Sequence, residues 1–357
     1  MKKELSNQSR ISRVGLCYFI LMLLTQLLQF GGVALLGDLI YTTSWGLWAL
    51  SYVPLYCMAV PVFLLMMQKL IPNAPGRFGT QRLSAGGWVR WVVISLSATY
   101  ILNYVSTFIT QLLAQLKGGA VENPLATIQQ NSSPLMMLLF AGIIAPVGEE
   151  FLFRKLLHDK LGGCGEKLYI LMGGFIFAMF HANLSQLLYA FVLGAVFCYI
   201  YVRTGKLRYT IALHITINVI GSVLMPSLAE SDSEVVIGIV GLFLLAVIVA
   251  GVILAVRGRW KFPPELPQAG FAPGISPEGF GQGMLQQGFG QVPPRAETGE
   301  KMPWERPDVG EAFTPEAPTQ KTMPQPAPTF GGALLAPGMI AYTALCIVLI
   351  LITTFLA

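Results

Sequence analysis

Uninterrupted apolar segments of about 20 residues recur along most of this 357-residue chain, and they limit its fold more than any other feature. An α-helix rises about 1.5 Å per residue, so about 20 apolar residues cross a bilayer core of ~30 Å. With 54% hydrophobic and only 11% charged residues, the chain cannot cover a water-soluble surface. The pattern therefore predicts an all-α, polytopic transmembrane helix bundle and excludes a soluble globular protein.

The apolar segments, bounded by breaking residues, predict eight core spans and a C-terminal span. Their predicted bounds are 14–36, 46–70, 88–115, 134–160, 168–182, 186–203, 208–225, 235–257 and 339–357. Lys and Arg are concentrated in alternate connecting segments, and such segments usually lie on the cytoplasmic side. The basic N-terminus is then cytoplasmic. The net charge of +5 indicates membrane orientation and does not indicate nucleic-acid binding.

Composition divides the chain into five segments. N-terminal transmembrane helices are predicted over 1–130, a core with polar residues inside the spans over 131–225, and an eighth helix within 226–261. Residues 262–338 are rich in Pro, Gly and Gln and cannot bury a core, so they are predicted to form a disordered linker that either binds a partner or only tethers. Residues 339–357 are predicted to form a loosely packed C-terminal anchor without a catalytic part.

Six polar residues inside the predicted spans indicate a site, because ionisable groups are costly in lipid and usually face a functional cavity. They are Glu149, Glu150, Arg154, His181, His214 and Asn218. Glu150 and Arg154 are four residues apart, so an ion pair on one helix face is expected. Glu149 is turned by about 100° from Glu150 and is free to face water or a substrate.

Helix lengths place these groups at similar depth. Counted from the turn near Gly162–Gly165, Glu149 and His181 both lie ~18–20 Å deep and can meet across an antiparallel hairpin. Asn218 lies ~15 Å deep from the same side, one turn beyond His214. Polar groups from three helices are therefore predicted to converge. Pro146 is expected to remove a backbone hydrogen bond and to bend the helix beside them.

This inventory fits peptide hydrolysis. A carboxylate beside an imidazole can activate a water, and His and Asn donors can face the oxyanion that forms when the water attacks a carbonyl. Glu149, His181 and His214 could instead bind zinc, although no HExxH motif is present. A proton-coupled transporter and a non-catalytic membrane scaffold also stay open, although no inverted repeat is evident. Gln26 in the first span is interpreted as an interhelical hydrogen-bonding residue.

Three motifs follow one another in successive apolar segments. They are Glu149-Glu150-x-x-x-Arg154, Phe177-x-x-x-His181 and His214-x-x-x-Asn218. Their order resembles the signature of the CPBP family, which comprises CAAX prenyl endopeptidases of the Ras-converting type and their bacterial Abi-type relatives. The resemblance covers roughly residues 130–225 and implies an intramembrane endopeptidase whose site opens toward the cytoplasm.

The resemblance also implies residue roles. Glu149 and His181 would activate the water, and Glu150 with Arg154 would orient Glu149. His214 and Asn218 would form the oxyanion site. No cofactor is expected, with zinc as the alternative.

The expected partners are the lipid bilayer and a membrane protein or lipidated peptide as substrate, without nucleic acid. We expect the membrane to be a bacterial inner membrane. Prenyl-processing members act on CAAX-type C-termini, but many bacterial relatives are linked to bacteriocin immunity, so the substrate does not follow from the family.

Overall fold

The computed structural model describes residues 5–37, 40, 43–119, 121, 123, 128–258 and 328–356. Ten helices with both ends given lie within these residues, and no strand does. The helices are α1 (Asn7–Leu36), α2 (Trp45–Leu70), α3 (Ala85–Lys117), α4 (Pro134–Cys164), α5 (Glu166–Phe180), α6 (Leu184–Thr204), α7 (Leu207–Ala229), α8 (Glu234–Arg257), α9 (Phe330–Leu334) and α10 (Pro337–Phe355). The predicted all-α membrane bundle is confirmed.

Eight of these helices are long and apolar enough to cross a membrane. The fifth predicted span, 168–182, is different. Its helix α5 has 15 residues, which give a length of ~22 Å, so by length it does not cross a core of ~30 Å. The predicted interval, 168–182, is equally short, and α5 lies buried between α4 and α6.

The chain turns back directly after α5. His181 follows the last residue of the helix, and Ala182 has a φ of 46°, in the left-handed region that residues other than glycine rarely adopt. Asn183 then begins α6, where its side chain accepts a hydrogen bond from the amide of Ser185. Non-helical backbone at membrane depth is tolerated where protein surrounds it or where it lines a cavity. This turn therefore places His181 within the bundle.

The C-terminal helix α10 packs closely against α1. A Cβ atom built on Gly338 would lie 1.8 Å from the carbonyl oxygen of Ser12, so the two backbones meet without side chains between them. Tyr342 is fully buried, and its hydroxyl donates a hydrogen bond of 2.8 Å to the carbonyl of Ile176 in α5. The expectation of a loosely packed anchor is therefore wrong, because small residues on both helices allow close backbone approach.

The predicted linker, 262–338, is only partly described. Its residues up to 327 lie outside the described part of the chain. Residues 328–338 contain α9 and the beginning of α10, so the described residues already form a helix at Phe330, before the predicted span begins at 339. The start was missed because Gly331, Gly332, Pro337 and Gly338 break the apolar pattern there.

Candidate active site

A buried ion pair in α4 lies at the centre of the site. Nε of Arg154 is 3.1 Å from Oε2 of Glu150, and both side chains have no exposed surface. The pair that the four-residue spacing predicts is confirmed. The other carboxylate oxygen of Glu150, Oε1, is 2.8 Å from Nδ1 of His214 in α7. Oε2 of Glu150 thus faces Arg154 in the ion pair while Oε1 contacts His214, and this carboxylate joins α4 to α7.

Aromatic rings enclose the guanidinium group of Arg154. Its Cζ atom lies 4.3 Å from the ring centroid of Phe177 in α5 and 5.0 Å from that of Phe197 in α6. Its two terminal nitrogens have no hydrogen-bond partner among the described protein atoms. The charge of Arg154 is thus balanced by one carboxylate and by the faces of two aromatic rings.

His214 contacts both glutamates, one through each ring nitrogen. Nδ1 faces Glu150 at 2.8 Å, and Nε2 is 3.6 Å from Oε2 of Glu149. An ionised carboxylate can only accept a hydrogen bond, so Nδ1 carries a hydrogen when Glu150 is ionised beside Arg154. The Nε2 atom is then a donor only in the doubly protonated ring. The imidazole is held by Glu150 and presents its other nitrogen to Glu149.

Glu149 faces a cavity of about 230 Å³, and its side chain is 18% exposed. Residues of α1, α2, α4 and α5 line this cavity. They are Met22, Thr25, Gln26, Gln29, Ser51, Tyr52, Leu55, Tyr56, Ala145, Glu149 and Phe180. Seven of these eleven side chains carry polar atoms, although the helices that present them are apolar. Glu149, which the sequence leaves without a partner in its own helix, is the site glutamate that a substrate or water can reach.

Helices α1 and α2 contribute side chains to this cavity that the sequence did not predict. Gln26 was interpreted as an interhelical hydrogen-bonding residue, but its amide donates to Gln29 of the same helix, and both side chains line the cavity. The signal was present, because Gln26 and Gln29 are three residues apart, and Tyr52 and Tyr56 are four residues apart, in otherwise apolar helices. Such spacing places each pair on one helix face.

His181 joins the site through Phe177. Its Nδ1 atom is 2.8 Å from the carbonyl oxygen of Phe177 and must donate to it, so Nε2 is the nitrogen that remains open. Its ring packs edge to face against Phe177, whose ring lies 5.9 Å from that of His214. No hydrogen bond or ion pair joins His181 to Glu149 within the described residues. The predicted meeting of these two side chains stays a prediction.

Asn218 pairs with a carbonyl that Pro146 leaves without a backbone partner. Before Pro146 the backbone of α4 forms wider π-type turns, in which the amide of Ala145 donates to the carbonyl of Phe140, five residues earlier. Proline has no N–H, so it cannot donate to the carbonyl of Ala141 in the same pattern. The side-chain amide of Asn218 in α7 donates to that carbonyl at 3.0 Å. This bond uses one of the two amide hydrogens and ties α7 to α4.

The zinc site stays an untested alternative. Among the described residues, no three side chains of His, Cys, Asp or Glu are placed to hold one metal ion. His214 directs its Nδ1 at Glu150, and His181 directs its Nδ1 at a backbone carbonyl.

These features define a class of protein, an integral multi-pass membrane protein with a buried carboxylate and histidine site beside a cavity. Residues 131–220 match the model of a family described as Type II CAAX prenyl endopeptidase Rce1-like. The resemblance that the three motifs carry is therefore confirmed, and the matched segment contains all six predicted site residues.

A curated relative agrees with this family match. The chain is 26% identical over 182 residues to a protein of Bacillus subtilis (strain 168) named "Putative membrane peptidase YdiL", which covers 48% of this chain and 69% of that protein. No solved structure matches the chain. Together the comparisons support a membrane protease.

Proposed function

We propose that this protein is an intramembrane endopeptidase that hydrolyses peptide bonds of membrane-associated substrates, with CAAX-type prenylated C-termini as one substrate class. The observation that carries the proposal is the placement of Glu149, which lines the cavity and lies 3.6 Å from the Nε2 atom of His214. Glu149 is accessible to water and lies beside an imidazole whose other nitrogen contacts Glu150. Such a carboxylate is suited to general base catalysis.

The reaction then proceeds in two steps. Glu149 takes a proton from a water in the cavity while the water oxygen attacks the carbonyl carbon of the substrate. Glu149 returns this proton to the amine nitrogen as the peptide bond breaks. The ion pair of Glu150 and Arg154 orients His214, which faces Glu149. His181 supports the water through its open Nε2 atom, and the second amide hydrogen of Asn218 is available for the oxyanion.

The proposed setting is a bacterial inner membrane, with the N-terminus and the opening of the site on the cytoplasmic side. The proposed partners are the bilayer and a membrane protein or lipidated peptide as substrate, without nucleic acid. Whether residues 262–327 bind a further partner lies outside the described part of the chain. The reaction as proposed needs no cofactor, because Glu149 itself is the base.

The test compares the purified full-length protein with the Glu149→Gln variant on a panel of prenylated and unprenylated membrane peptides. Glutamine keeps the shape of the side chain and removes the base. The matched control is Glu234→Gln, which changes an exposed carboxylate at the beginning of α8. We expect Glu149→Gln to abolish cleavage, and Glu234→Gln and an added chelator to leave it unchanged.

Cleavage that disappears in chelator would restore the metal alternative. Equal cleavage by the wild type and Glu149→Gln would contradict the proposal. An absence of cleavage together with equal phenotypes of both forms in cells would favour the non-catalytic scaffold, and solute flux that depends on a proton gradient would favour the transporter. The ratio of cleavage between prenylated and unprenylated peptides identifies the substrate class.

A further inference from the structure

Two tyrosines of α2 form the wall of the cavity near Glu149. Tyr52 and Tyr56 are four residues apart on one helix face, and their ring centroids are 5.2 Å apart. Both tyrosines line the same cavity as Glu149. They come from a part of the chain that the family match does not include, because the matched segment begins at residue 131.

The two hydroxyl groups differ in what they bind. The hydroxyl of Tyr52 donates a hydrogen bond of 2.6 Å to the carbonyl oxygen of Phe140 in α4, so its hydrogen is used within the fold. The hydroxyl of Tyr56 has no hydrogen-bond partner among the described residues, although it borders the cavity. A hydroxyl without a partner within the fold keeps its hydrogen available for a ligand in the cavity.

A glycine in α4 determines where the ring of Tyr56 lies. A Cβ atom built on Gly148 would be 2.5 Å from Cε1 of Tyr56 and 3.0 Å from its hydroxyl oxygen. Only a residue without a side chain leaves room for the ring at this place. Because Gly148 directly precedes Glu149, the hydroxyl of Tyr56 is held beside the helical turn that carries the proposed base.

The reaction needs hydrogen-bond donors for the oxyanion, and Asn218 can supply only its second amide hydrogen. The carbonyl oxygen of the substrate becomes negatively charged when water attacks, and donors aimed at this oxygen lower the barrier. Asn218 already gives one amide hydrogen to Ala141, and His214 directs its Nδ1 hydrogen at Glu150. The hydroxyl of Tyr56 is an uncommitted donor on the cavity wall.

We propose that Tyr56 is a further catalytic residue, whose hydroxyl donates a hydrogen bond to the oxyanion of the tetrahedral intermediate. This inference rests on the proposed endopeptidase function. The bond from the water oxygen to the carbonyl carbon forms as a proton passes to Glu149, and the carbonyl π electrons move to the oxygen that Tyr56 faces. The carbon–nitrogen bond then breaks, the proton on Glu149 passes to the amine, and Tyr56 keeps its own proton throughout.

The experiment compares Tyr56→Phe with the wild type in the peptide cleavage assay. Loss of one oxyanion donor typically lowers kcat by roughly 100-fold to 1,000-fold, and we expect a fall of this size with an unchanged KM. The control Tyr104→Phe changes a tyrosine of α3 that is 60% exposed, and it should keep the wild-type kcat. Tyr52→Phe should lower the melting temperature, because it loses the bond to Phe140, and its kcat should stay well above that of Tyr56→Phe.

A second variant keeps the tyrosine and moves it. Gly148→Ala should displace the ring of Tyr56 and lower kcat in the same direction, which tests the proposal if Tyr56→Phe does not fold. The role of Tyr56 would be overturned if Tyr56→Phe kept the wild-type kcat, or if its kcat fell only as far as its lower melting temperature explains. In both cases the loss of cleavage in Glu149→Gln would still support the endopeptidase function. Equal cleavage by the wild type and Glu149→Gln would instead remove the proposed function and this inference with it.

Discussion

Replacing Arg154 by methionine should destabilise the protein strongly, because the carboxylate of Glu150 then stays buried without its cation. At the observed separation of 3.1 Å and an effective dielectric constant of about 20, the attraction between the two charges is ~5 kcal/mol. Removing one partner of a buried pair typically costs ~3–5 kcal/mol of the unfolding free energy. At roughly 2 °C per kcal/mol for a chain of this size, the melting temperature should fall by ~6–10 °C.

The double variant Glu150→Gln/Arg154→Met should regain most of this loss, because neither side chain then leaves a buried charge unpaired. Glutamine can still accept a hydrogen bond from Nδ1 of His214. The matched control is Lys155→Met, which removes the cation of a partly exposed pair with Asp159 that is worth at most ~1 kcal/mol.

Unfolding can be followed by a thiol-reactive dye, because four of the five cysteines are buried. They are Cys17, Cys164, Cys198 and Cys346, and the exposed Cys57 is replaced by serine in all variants. The explanation of this ion pair would be refuted if the double variant were no more stable than Arg154→Met. It would also be refuted if Arg154→Met and Lys155→Met had equal melting temperatures.

Two further predictions concern contacts between helices. Gly338→Val should lower the unfolding free energy by ~1–3 kcal/mol, because its side chain would collide with the backbone of α1. Gly331→Val, at a glycine with open space around it, should not do so, and equal melting temperatures of the two variants would contradict the docking of α10. Asn218→Leu should cost ~1–3 kcal/mol, because it leaves the carbonyl of Ala141 unpaired. Adding Pro146→Ala should restore part of this stability by supplying a backbone N–H, and calorimetry that finds no recovery would refute this explanation.

The sequence predicts the membrane bundle and much of the site for a local reason. Span lengths follow from the thickness of the bilayer and the rise of a helix, and both act within one segment. The ion pair of Glu150 and Arg154 is equally local, because it depends only on a spacing of four residues. The predicted depths of the polar residues in α4 and α7 agree with the structure at His214, which contacts both glutamates.

Contacts between segments that are distant in the sequence could not be predicted from local patterns. The close approach of α10 to α1 depends on which faces the two helices turn to each other, and a glycine gives no sign of its partner. The role of Asn218 depends on π-type turns in α4, which shift the unpaired carbonyl by one residue from the one that a regular α-helix would leave.

The approximate bounds of most long helices and the pairing of neighbours in one helix are thus properties of the chain alone, because they depend on separations of a few residues. The cavity needed the packed bundle, since Gln26, Tyr52 and Glu149 come from three helices and meet only after those helices dock. The same is true of the difference between the hydroxyl groups of Tyr52 and Tyr56. It arises from the neighbours that each ring meets across a helix interface, and no local pattern records those neighbours.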